Sequence, residues 1–128
     1  MMGMPAVTVI VNCLNGERYL REALDSVYAQ TYKNWKIIFW DNASTDSTAD
    51  IANSYDSRLE YYCAESTTSL GVARVKASKL AKGELLAFLD CDDVWHETKL
   101  EMQVEIFCES TEELGVVYGR SQGKNESD

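Results

Sequence analysis

The stretch Leu85-Leu86-Ala87-Phe88-Leu89-Asp90-Cys91-Asp92-Asp93 decides the fold. An uninterrupted apolar run leads straight into a group of carboxylates. Such a run reads as a strand buried on both faces, the pattern of a parallel sheet with helices on either side. The C-terminal end of that strand is the edge where open α/β sheets bind their ligands. Asp90 and Asp92 are two positions apart, so in extended backbone their side chains leave the same face. Neighbouring carboxylates repel, and one takes up a proton unless a cation sits between them. Hard oxygen ligands of this kind suit Mg²⁺ or Mn²⁺. The plainer reading of the same residues is a helix start, with Asp92 or Asp93 capping a helix that begins near Trp95. On spacing alone both readings stand.

Outward from this strand the same grammar repeats. Residues 6–12 (AVTVIVN) are apolar and β-branched and read as the first strand. Asn15-Gly16 is a turn signal. From Glu17 to Gln30 the spacing predicts a helix with Leu20, Leu24, Val27 and Tyr28 on one stripe. Residues 35–40 (WKIIFW) form the second strand and deliver Asp41 at its tip. A polar loop follows, in which Asp46 is a candidate cap for a short helix over 47–54. A weaker strand covers 58–63. A helix over 71–82 carries Ala73, Ala77, Leu80 and Ala81 at helical spacing, with Gly83 as a left-handed stop. A helix over 97–109 buries Leu100, Val104, Phe107 and Cys108, and 115–118 (GVVY) reads as a fifth strand. Residues 119–128 form a polar tail without a core face.

Strands alternating with helices through short connections make a βαβ series, hence a mostly parallel sheet and right-handed crossovers. We expect one α/β domain over residues 1–118, incomplete on its C-terminal side, because a parallel sheet needs both faces covered. The 128 residues suffice for one core. The formal net charge of −9 argues against nucleic acid as a partner, since no basic stripe is present to neutralise phosphates. It also makes any anionic ligand depend on a bound cation or a few placed arginines. No run has the length of a membrane span, and residues 1–5 have no signal-peptide pattern. The four cysteines, Cys13, Cys63, Cys91 and Cys108, form no CxxC pair. With His96 the single histidine, reduced thiols are expected rather than a zinc site.

The strand C-termini should share one edge, bringing Asn12, Asp41, Asp90, Asp92 and Asp93 to one crevice. No GxGxxG follows the first strand and no P-loop motif is present, which removes the commonest nucleotide-binding loops. The segments NCLNGERYL, IIFWDNASTDST, LGVAR and AKGELLAFLDCDDVW occur in this order. Together they resemble the nucleotide-sugar-binding half of an inverting, family-two-type glycosyltransferase. The resemblance covers residues 7–103.

That resemblance implies a Rossmann-like nucleotide-diphospho-sugar transferase fold, here partial. It implies transfer of a hexosyl or related sugar from a nucleotide-diphospho-sugar, UDP-linked by expectation, to an acceptor. The resemblance implies that Asp41 takes the position of the base-recognising aspartate. Cys13 matches a position lining the base pocket, and Arg74 an arginine near the base or diphosphate. Asp90 and Asp92 match the acidic pair of the Asp-x-Asp motif. Asp90 would lie beside the ribose and sugar, and Asp92 would ligate Mn²⁺ or Mg²⁺ at the diphosphate. The family's general base lies after the fifth strand, so no catalytic residue is assigned here, and weak transfer is expected from this chain by itself. Cytoplasmic placement, with family members often at the inner membrane face, is also implied, as is a polysaccharide, lipid-linked or protein acceptor. The sequence departs from the family at Asn12-Cys13-Leu14-Asn15, at Asn42, at Val75 after Arg74, and around Glu97. Two other classes fit the alternation less well. A phosphoacceptor receiver domain wants an acidic pair after the first strand, where this chain has Asn12-Cys13. A non-catalytic nucleotide-binding or interaction module is the other.

Overall fold

The computed structural model of the protein describes residues 5–109. The expected strand 115–118 and tail 119–128 lie outside the described residues. Within them the elements are β1 (Val7–Cys13), α1 (Leu20–Tyr28), β2 (Trp35–Asp41), α2 (Thr48–Ala52), β3 (Leu59–Cys63), α3 (Leu70–Ser78), β4 (Leu85–Asp90) and α4 (Lys99–Glu109). The four strands form one parallel sheet in the order β3-β2-β1-β4.

The two faces of the sheet differ. Val7, Val9 and Val11 of β1, with Trp35, Ile37 and Phe39 of β2 and Leu85, Ala87 and Leu89 of β4, point to one side. There they meet Leu20, Leu24 and Val27 of α1 and Leu100 and Val104 of α4 in the main core. The alternate residues Ile10 and Ile38, with Trp40, Tyr62 and Phe88 at their edges, meet Ala77, Leu80 and Ala81 on the other side. The short-period alternation of the strands and the 3.6 period of the helices therefore interlock as the sequence pattern requires. Cys108, expected on the buried stripe of α4, is exposed instead.

Helix limits depart from the pattern at particular contacts. Residues 17–19 do not join α1, because Tyr19 N–H and Leu20 N–H both bond the Gly16 carbonyl in a tight turn. The N-terminus of α3 is set by Ser69, whose Oγ accepts from Val72 N–H at 3.3 Å. That helix ends at Ser78, where Leu80 and Ala81 N–H fall back to three-residue turns. Gly83 is not a left-handed cap. Its place is a close approach to β1: a Cβ there would stand 2.7 Å from Thr8 Oγ1 and 2.8 Å from the Ala6 carbonyl oxygen.

Candidate functional site

Strand order turns at β1. The chain winds from β1 through β2 to β3 on one side, then crosses to set β4 on the other. The gap between the C-terminal ends of β1 and β4 is therefore a topological switch point, the place where open α/β sheets bind ligands. Register pairs Asn12 with Asp90 and Cys13 with Asp41. Asn12 Oδ1 is buried there without a hydrogen-bond partner among the described residues.

Asp90 ends β4, and the chain turns at once, Asp93 N–H donating to the Asp90 carbonyl at 3.0 Å. The turn gathers Asp90, Asp92 and Asp93 so that one oxygen of each lies within 4.8 Å of the others. Asp90 and Asp92 are exposed, while Asp93 is buried. A set of carboxylate oxygens at this separation fits a divalent cation of the Mg²⁺ or Mn²⁺ type. Spacing in sequence points only to Asp90 and Asp92, because in extended backbone Asp93 would face away; the turn brings it round.

Arg74 reaches this group from α3. Its Nη2 lies 3.1 Å from Asp90 Oδ1, with both side chains substantially exposed, at 41% and 52%. The guanidinium also stands 5.8 Å above the Phe88 ring centroid.

Asp41 is at the same edge but is 1% exposed. Its Oδ1 accepts from Ser44 N–H at 2.8 Å and its Oδ2 from the Tyr61 hydroxyl at 2.6 Å. Burial, and then the bond to Asp41, push the Tyr61 hydroxyl well above its ordinary pKa. The Ser44 bond closes a turn in which Ala43 takes φ 68°, a left-handed conformation that its Cβ disfavours. Asn42 is buried and clamps the loop before α3: Nδ2 donates to the Thr68 carbonyl at 2.8 Å and Oδ1 accepts from Thr68 N–H at 3.0 Å.

The loops after β1 and β2 are stapled together. Asn15, at φ 54°, accepts from Thr45 N–H at 2.7 Å, and its own N–H donates to Ser44 Oγ at 2.7 Å. Gly16 N–H donates to Thr48 Oγ1 at 3.0 Å and Glu17 N–H to Asp46 Oδ2 at 3.2 Å. Asp46 Oδ1 accepts from Thr48 N–H at 2.9 Å, an Asx turn just ahead of α2; the N-cap itself is Ser47, which makes no side-chain capping bond, and the helix covers Thr48–Ala52 rather than 47–54.

Cys13 is 2% exposed and its side chain joins the main core beneath the crevice. The Cys13 carbonyl accepts from Asn42 N–H at 2.8 Å, holding the β2 tip against β1. A hydrogen bond to Cys91, and then burial, push the Cys13 thiol up; the same hydrogen bond pulls the Cys91 thiol down. Cys91 is half-buried and packs against the main core.

One residue that holds the acidic turn has no sequence signal. Gln30, 0% exposed, donates from Nε2 to the His96 carbonyl at 2.7 Å and to the Ser26 carbonyl at 3.1 Å. Its Oε1 accepts from Leu100 N–H at 2.9 Å. Ser26 Oγ accepts from Trp95 N–H at 3.1 Å, and Thr31 N–H donates to the Glu97 carbonyl at 2.9 Å. The C-terminal end of α1 thus pins the segment between the acidic turn and α4. A separate cavity of about 310 Å³ opens at the other edge of the sheet, among Val7, Trp35, Lys36, Glu60 and Lys82, away from all the expected site residues.

Comparison with known proteins agrees with this geometry. The chain is 39% identical over 108 residues to the putative teichuronic acid biosynthesis glycosyltransferase TuaG of Bacillus subtilis, a match over 82% of this chain and 43% of that protein. Its structure is similar to that of Staphylococcus aureus TarS residues 1–349 in complex with UDP, with a TM-score of 0.77 and 29% identity, covering 81% of this chain and 32% of that one. It is also similar to the Pyrobaculum calidifontis mannosyltransferase PcManGT in complex with GDP-Man and Mn²⁺, with a TM-score of 0.67 and 28% identity, covering 71% of this chain and 28% of that one. The chain thus spans less than half the length of these relatives. The model of glycosyl transferase family 2 matches residues 8–128, and the chain belongs to that family.

Proposed function

We propose that the chain supplies the donor-binding part of an inverting glycosyltransferase that takes its sugar from a UDP-linked donor. The observation that carries this reading is the gathering of Asp90, Asp92 and Asp93 at the switch point between β1 and β4. The UDP bound to TarS supports the choice of nucleotide, and the Mn²⁺ bound to PcManGT supports the choice of cofactor.

Asp92, with Asp90 and Asp93, would hold Mn²⁺ or Mg²⁺. The bound ion would supply Lewis-acid stabilisation of the charge that develops on the leaving diphosphate. Arg74 and Asp90 would face the nucleotide together, Arg74 offering a bidentate fork to phosphate oxygens. Asn12 Oδ1, without a partner among the described residues, is a ready acceptor at the same place. The part assigned to Asp41 is constrained. A base imide N–H would have to share an oxygen with Ser44 N–H or the Tyr61 hydroxyl, which the second lone pair of each oxygen allows. Cys13 would act as floor beneath the base rather than through an exposed sulfur. The acceptor is a polysaccharide, lipid-linked or protein hydroxyl, and no residue here is assigned as its general base. Among the described residues no helix is long and apolar enough to cross a membrane; work in the cytoplasm, peripheral to the inner membrane face, is part of the proposal.

A thermal-shift panel of nucleoside diphosphates with and without Mn²⁺ tests it. UDP with Mn²⁺ should stabilise most, by about 2.7 kcal/mol at a hundredfold excess over Kd, and Asp92→Ala should abolish the dependence on metal. An equal response to UDP and Mn²⁺ in that variant would overturn Asp92 as the ligand.

A further inference from the structure

We infer that Cys13 and Cys91 form an oxidation-sensitive dithiol beneath the acidic turn, which a peroxide closes to a disulfide that disables nucleotide-diphosphate binding.

The topology brings the two cysteines together. β1 and β4 are hydrogen-bonded neighbours whose last registered pair is Asn12 with Asp90. One step further stand Cys13 and Cys91, both packed into the main core. Neighbouring strands run about 4.8 Å apart, inside the roughly 4.4–6.8 Å Cα separation that disulfides require. Their sulfurs crowd one spot: a Cβ built on Gly16 would stand 2.5 Å from Cys13 Sγ and 3.0 Å from Cys91 Sγ. Glycine at 16 leaves that space to the two sulfurs. The remaining cysteines, Cys63 and Cys108, are both exposed.

Cys91, the less buried of the pair, is the entry point. Its sulfur attacks the peroxide O–O bond, which breaks; a sulfenic acid forms and water leaves. The Cys13 sulfur then attacks that of Cys91; the S–S bond forms, the S–O bond breaks, and a second water leaves. The two thiols lose two electrons and two protons, and the peroxide becomes water. Closure draws Cys91 toward Cys13. Because Asp90 and Asp92 flank Cys91 in the chain, a bond that fixes its sulfur constrains the turn that sets the spacing of the acidic group. In a reducing compartment the bond is transient, as a regulatory disulfide requires. The effect on binding rests on the donor-binding reading; the disulfide itself does not.

The test uses the Cys63→Ser/Cys108→Ser chain, treated with hydrogen peroxide and mapped by mass spectrometry without reduction. The expected product has lost two hydrogens and yields one linked peptide pair containing Cys13 and Cys91. A UDP titration in Mn²⁺ should show an affinity about tenfold or more weaker, restored by dithiothreitol. Adding Cys91→Ser should abolish the link. Intact thiols, or higher sulfur oxides without a link, would overturn the dithiol. A link that leaves UDP affinity unchanged would overturn its effect on the site. If the reduced chain fails to bind UDP, the donor-binding reading falls, and the linked peptide still decides the dithiol.

Discussion

Gln30→Met should destabilise the protein by about 3 kcal/mol, counting about 1 kcal/mol for each ordinary hydrogen bond and more for an orphaned donor. The structure supplies the terms. Gln30 is wholly buried and makes three side-chain hydrogen bonds, to the Ser26 carbonyl, the His96 carbonyl and Leu100 N–H. The His96 carbonyl keeps a second donor, Lys99 N–H at 3.0 Å, so its loss is small. Leu100 N–H is different. It lies in the first turn of α4, where a helix has no acceptor of its own, and Leu100 is 1% exposed. Leaving that donor unpaired costs about 1–3 kcal/mol. Methionine matches glutamine in length and flexibility, so cavity terms are small and the change isolates the hydrogen bonds. Urea denaturation gives the free energy and the slope together. A loss below about 1 kcal/mol at unchanged slope would refute the view that Gln30 is the clamp between α1 and α4.

Two further outcomes follow from single contacts. Tyr61→Phe removes the donor to Asp41 Oδ2 while keeping the ring that stacks on Phe39 at 5.9 Å; a bond to a buried charged acceptor is worth about 1.5–3 kcal/mol, and an unchanged urea midpoint would sink the claim that Tyr61 sustains the Asp41 turn. Lys99 is pulled down by burial to about 8, from 10.5. Between those values the unfolded chain keeps a proton that the folded chain releases, so stability should rise with pH across that window. Thermal melts of the protein and of Lys99→Met should diverge there, the variant lacking this part of the rise; parallel curves would refute it.

The part of the fold that sequence makes legible is the part fixed by local pattern. Residues 85–89 are apolar without a break, yet the cover of β4 is uneven: Leu85, Ala87 and Leu89 are buried in the main core, while Leu86 and Phe88 on the opposite face are only half-buried. The acidic tip is legible for the same reason: a carboxylate cannot follow such a strand unless the chain emerges from the sheet there. What local pattern lacks is strand order. Alternation alone fits β1-β2-β3-β4 as well as the observed β3-β2-β1-β4, and only the second sets Asp90 beside Asn12. The meeting of Cys13 with Cys91 is hidden with it. Gln30 is illegible for another reason. An amide at the end of an amphipathic helix reads as solvated, and nothing local reveals that two backbone groups from residues 96 and 100 close over it. The early end of α3 is of this kind too, since the approach of Gly83 to Thr8 is a tertiary contact.

Charge explains why the site needs Arg74 as it stands. A chain of net charge −9 gathers three carboxylates within 4.8 Å at one turn, an arrangement that repels itself and any phosphate nearby. The Arg74 guanidinium at 3.1 Å from Asp90 relieves part of that repulsion before any ligand arrives. Its exposure limits how strongly it is held: ion pairs open to solvent are worth about 0–1 kcal/mol. A guanidinium bound that weakly leaves a carboxylate at little cost, whereas a buried pair would resist by several times as much. On the donor-binding reading, Arg74 would exchange a carboxylate for a phosphate, leaving an Asp90 oxygen open to a cation. The contrast with Asp41 is physical. Its buried oxygens are fixed by Ser44 and Tyr61, so that end of the crevice is rigid where the Asp90 end is exchangeable. The two strand tips, one buried and one exposed, thus give the crevice one rigid end and one adjustable end.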